Sequence, residues 1–247
     1  MVRKLLILSL VLLPLAAKSQ ADEEQCHILM AGDSTMQNVD PAKNPEFGWG
    51  QVLPRFAEYS TEIINLAKGG RSTKSFIAEN RWSELVEQVR AGSWVLIQFG
   101  HNDASYKHPE RYTAPVDYEA NLQNMVSDVR AKSGNPVLIT PVVRRYFDDE
   151  GKLRDMHGIY PSLVHRVANE TRTPVIDLFE RSSHELVNAG VLKTIDWFVH
   201  IGPGVHPCCP EGRMDNTHFT EDGAEHVAQW VISELKTTSL PLKDCFL

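Results

Sequence analysis

The sequence predicts a three-layer α/β domain built on a five-stranded parallel sheet. The first observation is a set of five short apolar runs rich in Val, Ile and Leu. These runs lack the polar-apolar alternation of half-exposed strands, which is typical of strands buried on both faces. The five predicted strands cover residues 27–31, 62–67, 94–100, 136–141 and 174–178.

The second observation is that helix-like segments separate these runs. In segment 82–90, apolar residues stand at positions 82, 85, 86 and 89, which is helical spacing. Further helices are predicted at residues 118–132, 160–171, 184–189 and 221–236, the last with Thr220 as its N-cap. Strands that alternate with helices indicate βαβ units and a parallel sheet. No linker rich in Pro, Gly or Ser divides the chain, so residues 22–247 are predicted to form one domain.

The N-terminus has the pattern of a secretory signal peptide. Arg3 and Lys4 precede a 13-residue apolar run that ends at Ala17, and small residues follow it up to Ala21. Such a run is short for a membrane span, so an uncleaved anchor or a buried helix is the weaker alternative. We therefore expect a signal peptide over residues 1–21, cleavage near residues 19–21, and a secreted or periplasmic location.

Composition excludes several classes of protein. The chain has 247 residues and a net charge of −7, with 42% hydrophobic and 23% charged residues. These values are ordinary for a globular protein and argue against a strongly basic nucleic-acid binder, which needs clustered Lys and Arg. We expect a monomer whose mature form binds neither nucleic acid nor membrane.

Four cysteines predict disulfides in an exported chain. They are Cys26, Cys208, Cys209 and Cys245. A bridge between the adjacent Cys208 and Cys209 would close a strained ring, so we expect one of them to pair with Cys26 and the other with Cys245. The alternative is a zinc site formed by His206, Cys208 and Cys209, but adjacent cysteines lack the usual C-x₂₋₄-C spacing.

Three motifs follow the first three predicted strands, where sites form in open α/β sheets. Ser34, in Gly-Asp-Ser-Thr-Met, can project its hydroxyl from a strand-to-helix turn, or it can merely cap that helix. Gly70 lets the backbone approach a ligand, or it belongs to a simple turn. Asn102 can donate its amide to a developing negative charge, or it forms an Asx turn.

A fourth motif lies near the C-terminus, where Asp215 precedes His218 by three residues. Across one tight turn, the carboxylate can fix the imidazole tautomer and stabilise the imidazolium, although an exposed polar loop would have the same composition. Together the four motifs supply a nucleophile, a base with its orienting acid, and oxyanion donors. The combination predicts nucleophilic catalysis by a serine.

The four motifs resemble those of the SGNH/GDSL hydrolase superfamily, whose fold is flavodoxin-like. The resemblance is closer to rhamnogalacturonan acetylesterases and runs from about His27 to Trp230. It is carried by Ala31-Gly-Asp-Ser-Thr-Met, Gly48-Trp-Gly, Gly70-Arg-Ser, Phe99-Gly-His-Asn-Asp and Asp215-x-Thr-His. It implies Ser34 as nucleophile, His218 as base, Asp215 as its orienting acid, and an oxyanion hole of the Ser34 and Gly70 N–H groups with the Asn102 side chain. No metal or cofactor is expected.

The resemblance also implies an acetylated acidic polysaccharide as the binding partner. Aromatic faces can stack on sugars and Arg can pair with uronate carboxylates, so a set of residues is expected to line the rim. The set is Trp49, Arg71, Arg144, Arg145, Trp197 and His200. The two Trp residues could instead pack in the core. Alternative functions are a GDSL-type lipase, thioesterase or lysophospholipase, or a non-catalytic carbohydrate-binding protein on the same scaffold.

Overall fold

The computed structural model describes residues 26–247, so the predicted signal peptide lies outside the described residues. The strands are β1 His27–Gly32, β2 Glu62–Asn65, β3 Trp94–Gln98, β4 Asn135–Ile139, β5 Val175–Ile176, β6 Phe198–Ile201 and β7 Arg213–Phe219. The helices are α1 Trp49–Val52, α2 Thr73–Ala78, α3 Arg81–Gln88, α4 Pro115–Ala131, α5 Tyr160–Thr171, α6 Leu178–Lys193 and α7 Glu221–Thr237. In this part of the chain no helix is long and apolar enough to cross a bilayer.

Strands β1 to β5 form one parallel sheet in the order β2-β1-β3-β4-β5, which confirms the predicted fold class. All six residues of β1 are buried. Ile28 and Met30 pack into one core with α1, α6 and α7, whereas Leu29 and Ala31 pack into a second core with α2 to α5. Both sheet faces are therefore covered, which explains why the strands read as continuous apolar runs.

The strand order places a topological switch between β1 and β3. The chain leaves β1 towards β2 on one side, and then crosses to β3 on the other side of β1. In doubly wound sheets the crevice beyond the carboxyl ends of the strands at such a point is the usual place for a ligand. The segments that carry Ser34 and Asn102 follow these two strands.

The C-terminal third differs most from the sequence prediction. Helix α6 begins at Leu178 rather than at residue 184, and Asp177 caps it by accepting the Glu180 N–H. Strands β6 and β7 form an antiparallel pair that apolar periodicity did not indicate. Helix α7 agrees with the prediction, and Thr220 accepts the Gly223 N–H as its N-cap.

The disulfide prediction was wrong in its pairing. Cys26 bonds Cys245, with 6.0 Å between their Cα atoms, whereas Cys208 and Cys209 are free thiols. The reason is topological, because Cys26 precedes β1 and Cys245 lies in a C-terminal 3₁₀ helix at the same end of the sheet. The two adjacent cysteines lie in the loop between β6 and β7.

Candidate active site

Ser34 lies on a sharp turn at the carboxyl end of β1. The Asp33 carbonyl accepts the N–H groups of Met36 and Gln37, and the Asp33 side chain accepts both the N–H and the hydroxyl of Thr35. The expected helix directly after this turn is absent from the described residues, since α1 begins only at Trp49. Ser34 is therefore not a helix cap, and the turn alone presents its hydroxyl.

Ser34, His218 and Asp215 form a continuous hydrogen-bonded chain. His218 Nε2 lies 2.8 Å from Ser34 Oγ, and His218 Nδ1 lies 2.8 Å from Asp215 Oδ2. This geometry requires the Nδ1–H tautomer, in which Nε2 is free to accept the serine proton. The second oxygen, Asp215 Oδ1, accepts the backbone N–H groups of Thr217 and His218.

The Asp215 carboxylate is held in its charged form. Partial burial by itself would raise the pKa of this group, but hydrogen bonds from the His218 ring and from the two backbone N–H groups lower it well below its ordinary value. A permanently ionised carboxylate at Nδ1 can orient the imidazole and stabilise an imidazolium.

A large bulge in β7, with four residues against one of β6, brings Asp215 and His218 together. Phe198 pairs with Phe219, and His200 pairs with Met214. One residue of β6 therefore faces four residues of β7, which are residues 215–218. In a regular strand, residues three apart point to opposite faces. The bulge removes this constraint, so the prediction of a tight turn is replaced by an irregular strand.

Gly70 and Asn102, two of the residues expected to form an oxyanion hole, line the same cavity as Ser34. Gly70 has a φ of +77°, a left-handed conformation that favours glycine, and a Cβ built there would meet nothing within 4 Å. Asn102 Nδ2 donates one hydrogen to the Arg71 carbonyl at 3.0 Å, and Arg111 Nη1 donates to Asn102 Oδ1 at 3.3 Å. These two contacts fix the amide orientation, and its second hydrogen is available to a ligand.

Arg213 and Glu46 lie next to the hydrogen-bonded chain of Ser34, His218 and Asp215. The sequence did not predict either of them as a site residue. Arg213 Nη2 lies 2.5 Å from Asp215 Oδ2, and the same nitrogen donates to Glu46 Oε1. Glu46, Asp215 and His218 also present ligand atoms near one another. The guanidinium already lies against both carboxylates, so a metal ion would meet a positive charge there. Neither residue follows a predicted strand, because Glu46 lies in a long loop and Arg213 begins a strand that the sequence did not predict.

The zinc alternative at Cys208 and Cys209 is not supported. His206 Nδ1 accepts the Cys208 N–H, and His206 Nε2 donates to the Pro41 carbonyl. Both ring nitrogens are therefore occupied. Among the described residues, these three side chains do not form a converging group of ligand atoms.

A cavity of about 420 Å³ opens over Ser34. The predicted residues Ser34, Gly70, Asn102, Arg144 and His218 line it. Other lining residues were missed by the sequence prediction, and these are Gln37, Glu46, Ser105, His108 and Arg111. The sequence could have indicated Ser105, His108 and Arg111 by their position after β3, because loops at that edge of the sheet surround the site.

Three of the predicted rim residues are buried, which corrects that part of the prediction. Trp49 is fully buried and its indole N–H donates to Gln98 at 2.6 Å, and Trp197 packs on Trp230 in the core. Arg145 is 7% exposed because its guanidinium donates to Thr194, Asn216 and the Val191 carbonyl. Large aromatic and Arg side chains at a strand end can face inward as readily as outward.

The other predicted rim residues make polar contacts. Arg144 donates to Thr217 Oγ1 at 2.7 Å and to the His101 carbonyl at 3.3 Å, so it ties the β7 bulge to the loop after β3. Arg71 bonds the Glu79 carboxylate and lies outside the cavity lining. His200 Nε2 contacts Asn216 at 2.8 Å.

The loop after β3 anchors the site through two further groups. His101 Nδ1 lies 3.2 Å from Asp33 Oδ2, and burial lowers the pKa of His101, so the neutral ring donates to that carboxylate. Asp103 accepts the Thr73 N–H and hydroxyl at the start of α2. Burial raises the pKa of Asp103 to about 7.

Known proteins resemble this chain in both sequence and structure. The model of the GDSL-like lipase/acylhydrolase family matches residues 30–226. The rhamnogalacturonan acetylesterase RhgT of Bacillus subtilis is 37% identical over 88% of this chain and 92% of its own length. A second protein of that organism, named "Probable rhamnogalacturonan acetylesterase YesY", is 35% identical over 90% of this chain and 97% of its own length.

Solved structures carry the same architecture. The crystal structure of YxiM from Bacillus subtilis superimposes with a TM-score of 0.75 at 25% identity, covering 88% of this chain and 58% of that one. Axe2, an acetylxylan esterase from Geobacillus stearothermophilus, gives a TM-score of 0.59 at 21% identity, covering 85% of this chain and 93% of that one. At that identity the second likeness concerns the fold alone.

Proposed function

We propose that this chain, which belongs to the GDSL-like lipase/acylhydrolase family, deacetylates rhamnogalacturonan outside the cytoplasm. The chain is a carboxylic ester hydrolase of the carbohydrate esterase class. The choice of polymer is supported by relatives named for rhamnogalacturonan that align over nearly their whole length. The polar lining of the 420 Å³ cavity suits a sugar better than a long acyl chain.

The observation that carries the mechanism is the 2.8 Å contact of His218 Nε2 with Ser34 Oγ, backed by Asp215 at Nδ1. Ser34 Oγ attacks the acetyl carbonyl, and its proton passes to His218 Nε2. The tetrahedral oxyanion accepts hydrogen bonds from the Ser34 and Gly70 N–H groups and from Asn102. Asp215 stabilises the imidazolium throughout.

The tetrahedral intermediate then collapses. The bond between the carbonyl carbon and the sugar oxygen breaks, and His218 returns its proton to that oxygen. Water attacks the acetyl-Ser34 carbonyl while His218 takes one of its protons, and Ser34 leaves as the alcohol with that proton. The products are the deacetylated sugar and acetate.

Export is part of the same proposal. Residues 1–21 act as the signal peptide and residues 22–247 as the secreted or periplasmic enzyme. The Cys26–Cys245 disulfide supports an oxidising location, because such bridges persist outside the reducing cytosol. N-terminal sequencing of the exported protein tests it, and an intact residue 1 on that protein would contradict it.

Acetate release from acetylated rhamnogalacturonan tests the function. Ser34→Ala should lower kcat by roughly 10⁴-fold or more, and Asn102→Ala by roughly 10²–10³-fold, because the first removes the nucleophile and the second one oxyanion donor. Circular dichroism and the unfolding midpoint serve as folding controls. Folded Ser34→Ala with near-normal acetate release would refute the mechanism. Faster release from acetylated xylan than from rhamnogalacturonan would refute the choice of polymer.

A further inference from the structure

Two arginines, Arg111 and Arg144, line the cavity over Ser34, and Arg111 makes the fewer and longer hydrogen bonds. Its Nη1 donates one long hydrogen bond, 3.3 Å, to Asn102 Oδ1. Its Nε is buried and has no hydrogen-bond acceptor among the described residues. Arg144, by contrast, donates at 2.7 Å to Thr217 and also to the His101 carbonyl. A guanidinium N–H without an acceptor leaves Arg111 incompletely hydrogen-bonded, and the side chain is 30% exposed, so an acceptor arriving at its Nη groups would be favoured.

The acidic groups nearby do not neutralise Arg111. Glu110 Oε1 lies 3.7 Å from Arg111 Nε, beyond hydrogen-bond length, and the Glu110 side chain is 67% exposed. Exposed pairs of this kind contribute little because water screens them. Glu46, which also lines the cavity, is already paired with Arg213. The cavity therefore offers a positive charge and free guanidinium donors to a ligand.

A carboxylate is the ligand chemistry that matches these donors. The two Nη groups of one guanidinium form a planar fork that can bind two carboxylate oxygens together. His108 lines the same cavity. Its Nδ1 lies 3.5 Å from Glu110 Oε1, the same oxygen that lies 3.7 Å from Arg111 Nε. Arg111 and His108 thus both lie near one carboxylate oxygen, that of the exposed Glu110.

We propose that Arg111, flanked by His108, binds a uronate carboxylate of the glycan next to the scissile ester. The position follows from the bond to Asn102, since a carboxylate on Arg111 lies beside the amide that faces the oxyanion. The uronate then belongs to the acetylated sugar or to its immediate neighbour in the chain. This proposal rests on the proposed function and adds the residue that selects an acidic glycan over a neutral one.

The test combines two enzymes with two substrates. The substrates are an acetylated rhamnogalacturonan oligosaccharide and the same oligosaccharide after carbodiimide coupling to methylamine, which turns each carboxylate into a neutral amide. Wild type should have a kcat/KM at least tenfold higher on the acidic form, and Arg111→Gln should bring this ratio close to one. The ratio cancels any general loss caused by disturbing Asn102.

Lys107→Gln is the matched control, because Lys107 lies exposed in the same loop, carries the same charge and does not line the cavity. It should keep the wild-type ratio. An unchanged ratio in Arg111→Gln, with or without a general fall in activity, would leave Arg111 as a positioning residue for Asn102 and overturn the subsite.

Inhibition separates this proposal from the proposed function. The deacetylated acidic oligosaccharide should compete with p-nitrophenyl acetate, and its Ki should rise at least tenfold in Arg111→Gln. If wild type released no acetate from the oligosaccharide yet the Ki rose, the proposed function would fail and the subsite would stand. If wild type released acetate and neither Ki nor ratio changed, only the subsite would fail.

Discussion

Asp103 is buried next to the cavity lining and bears on stability rather than on chemistry. One carboxyl oxygen accepts two hydrogen bonds from Thr73, and the other is buried without a partner among the described residues. Burial therefore raises the pKa of Asp103 to about 7 from an ordinary value of 3.8. The folded protein holds a proton there that the unfolded chain releases at lower pH.

Asp103→Asn should change how stability depends on pH. Because the folded pKa exceeds the unfolded one, the stabilisation by the protonated carboxyl is complete below about pH 4 and is lost as pH rises to about 7. Relative to wild type, the variant should gain about 2–4 kcal/mol across that window, since an amide does not titrate. Urea unfolding at pH 4, 5.5, 7 and 8 measures this, and parallel curves for the two proteins would contradict it.

At the residue scale, the sequence predicted which residues meet at Ser34 better than it predicted which residues line the rim. Ser34, Asp215 and His218 were placed from their types and spacing, and the structure brings them within hydrogen-bond distance. Trp49 and Arg145 were placed on the rim by type alone, and both are buried. Side-chain direction at a strand end depends on which layers cover it, and that is a property of the whole fold.

At the element scale, the β7 bulge and the start of α7 position His218. Helix α7 begins two residues after Phe219, and its N-terminus packs on the Trp197 backbone, where the Thr220 N–H donates to the Trp197 carbonyl at 3.1 Å. A Cβ at Gly223 would lie 1.8 Å from that carbonyl oxygen. The absence of a side chain at Gly223 is therefore a steric requirement of this junction.

Gly223→Ala should push α7 away from Trp197. We expect a loss of at least about 2 kcal/mol in the free energy of unfolding, together with a lower kcat because His218 lies five residues before the substitution. Gly202→Ala is the control, since its Cβ would meet nothing nearer than Val205 at 3.9 Å. Denaturant unfolding and acetate release measure both effects, and wild-type values for Gly223→Ala would show that the backbone contact is unimportant.

At the scale of the whole molecule, the Cys26–Cys245 disulfide joins the two ends of the described chain. The bridged cysteines are 219 residues apart in sequence, and Cys26 precedes β1 whereas Ser34 follows it. A cross-link over so long a loop restricts the unfolded chain. It lies at the opposite end of β1 from the site, so stability and activity should respond to it separately.

The double variant Cys26→Ser/Cys245→Ser should lose about 2–4 kcal/mol in unfolding free energy while kcat/KM stays within about twofold of wild type. Cys208→Ser/Cys209→Ser is the matched control and should leave stability unchanged, because these thiols are unbridged. Urea unfolding under non-reducing conditions gives the comparison. Equal stability losses in the two variants would be inconsistent with a single stabilising bridge.

The sequence by itself determined the alternation of buried strands and helices, the fold class and the three residues that form the hydrogen-bonded chain of Ser34, His218 and Asp215. These features follow from local periodicity and from motifs a few residues long. Only the tertiary structure decided that a bulge joins Asp215 to His218, that Arg111 rather than Arg145 faces the cavity, and that Cys26 meets Cys245. Each of these depends on segments far apart in the chain, whose relative positions are set by sheet order and packing rather than by local pattern.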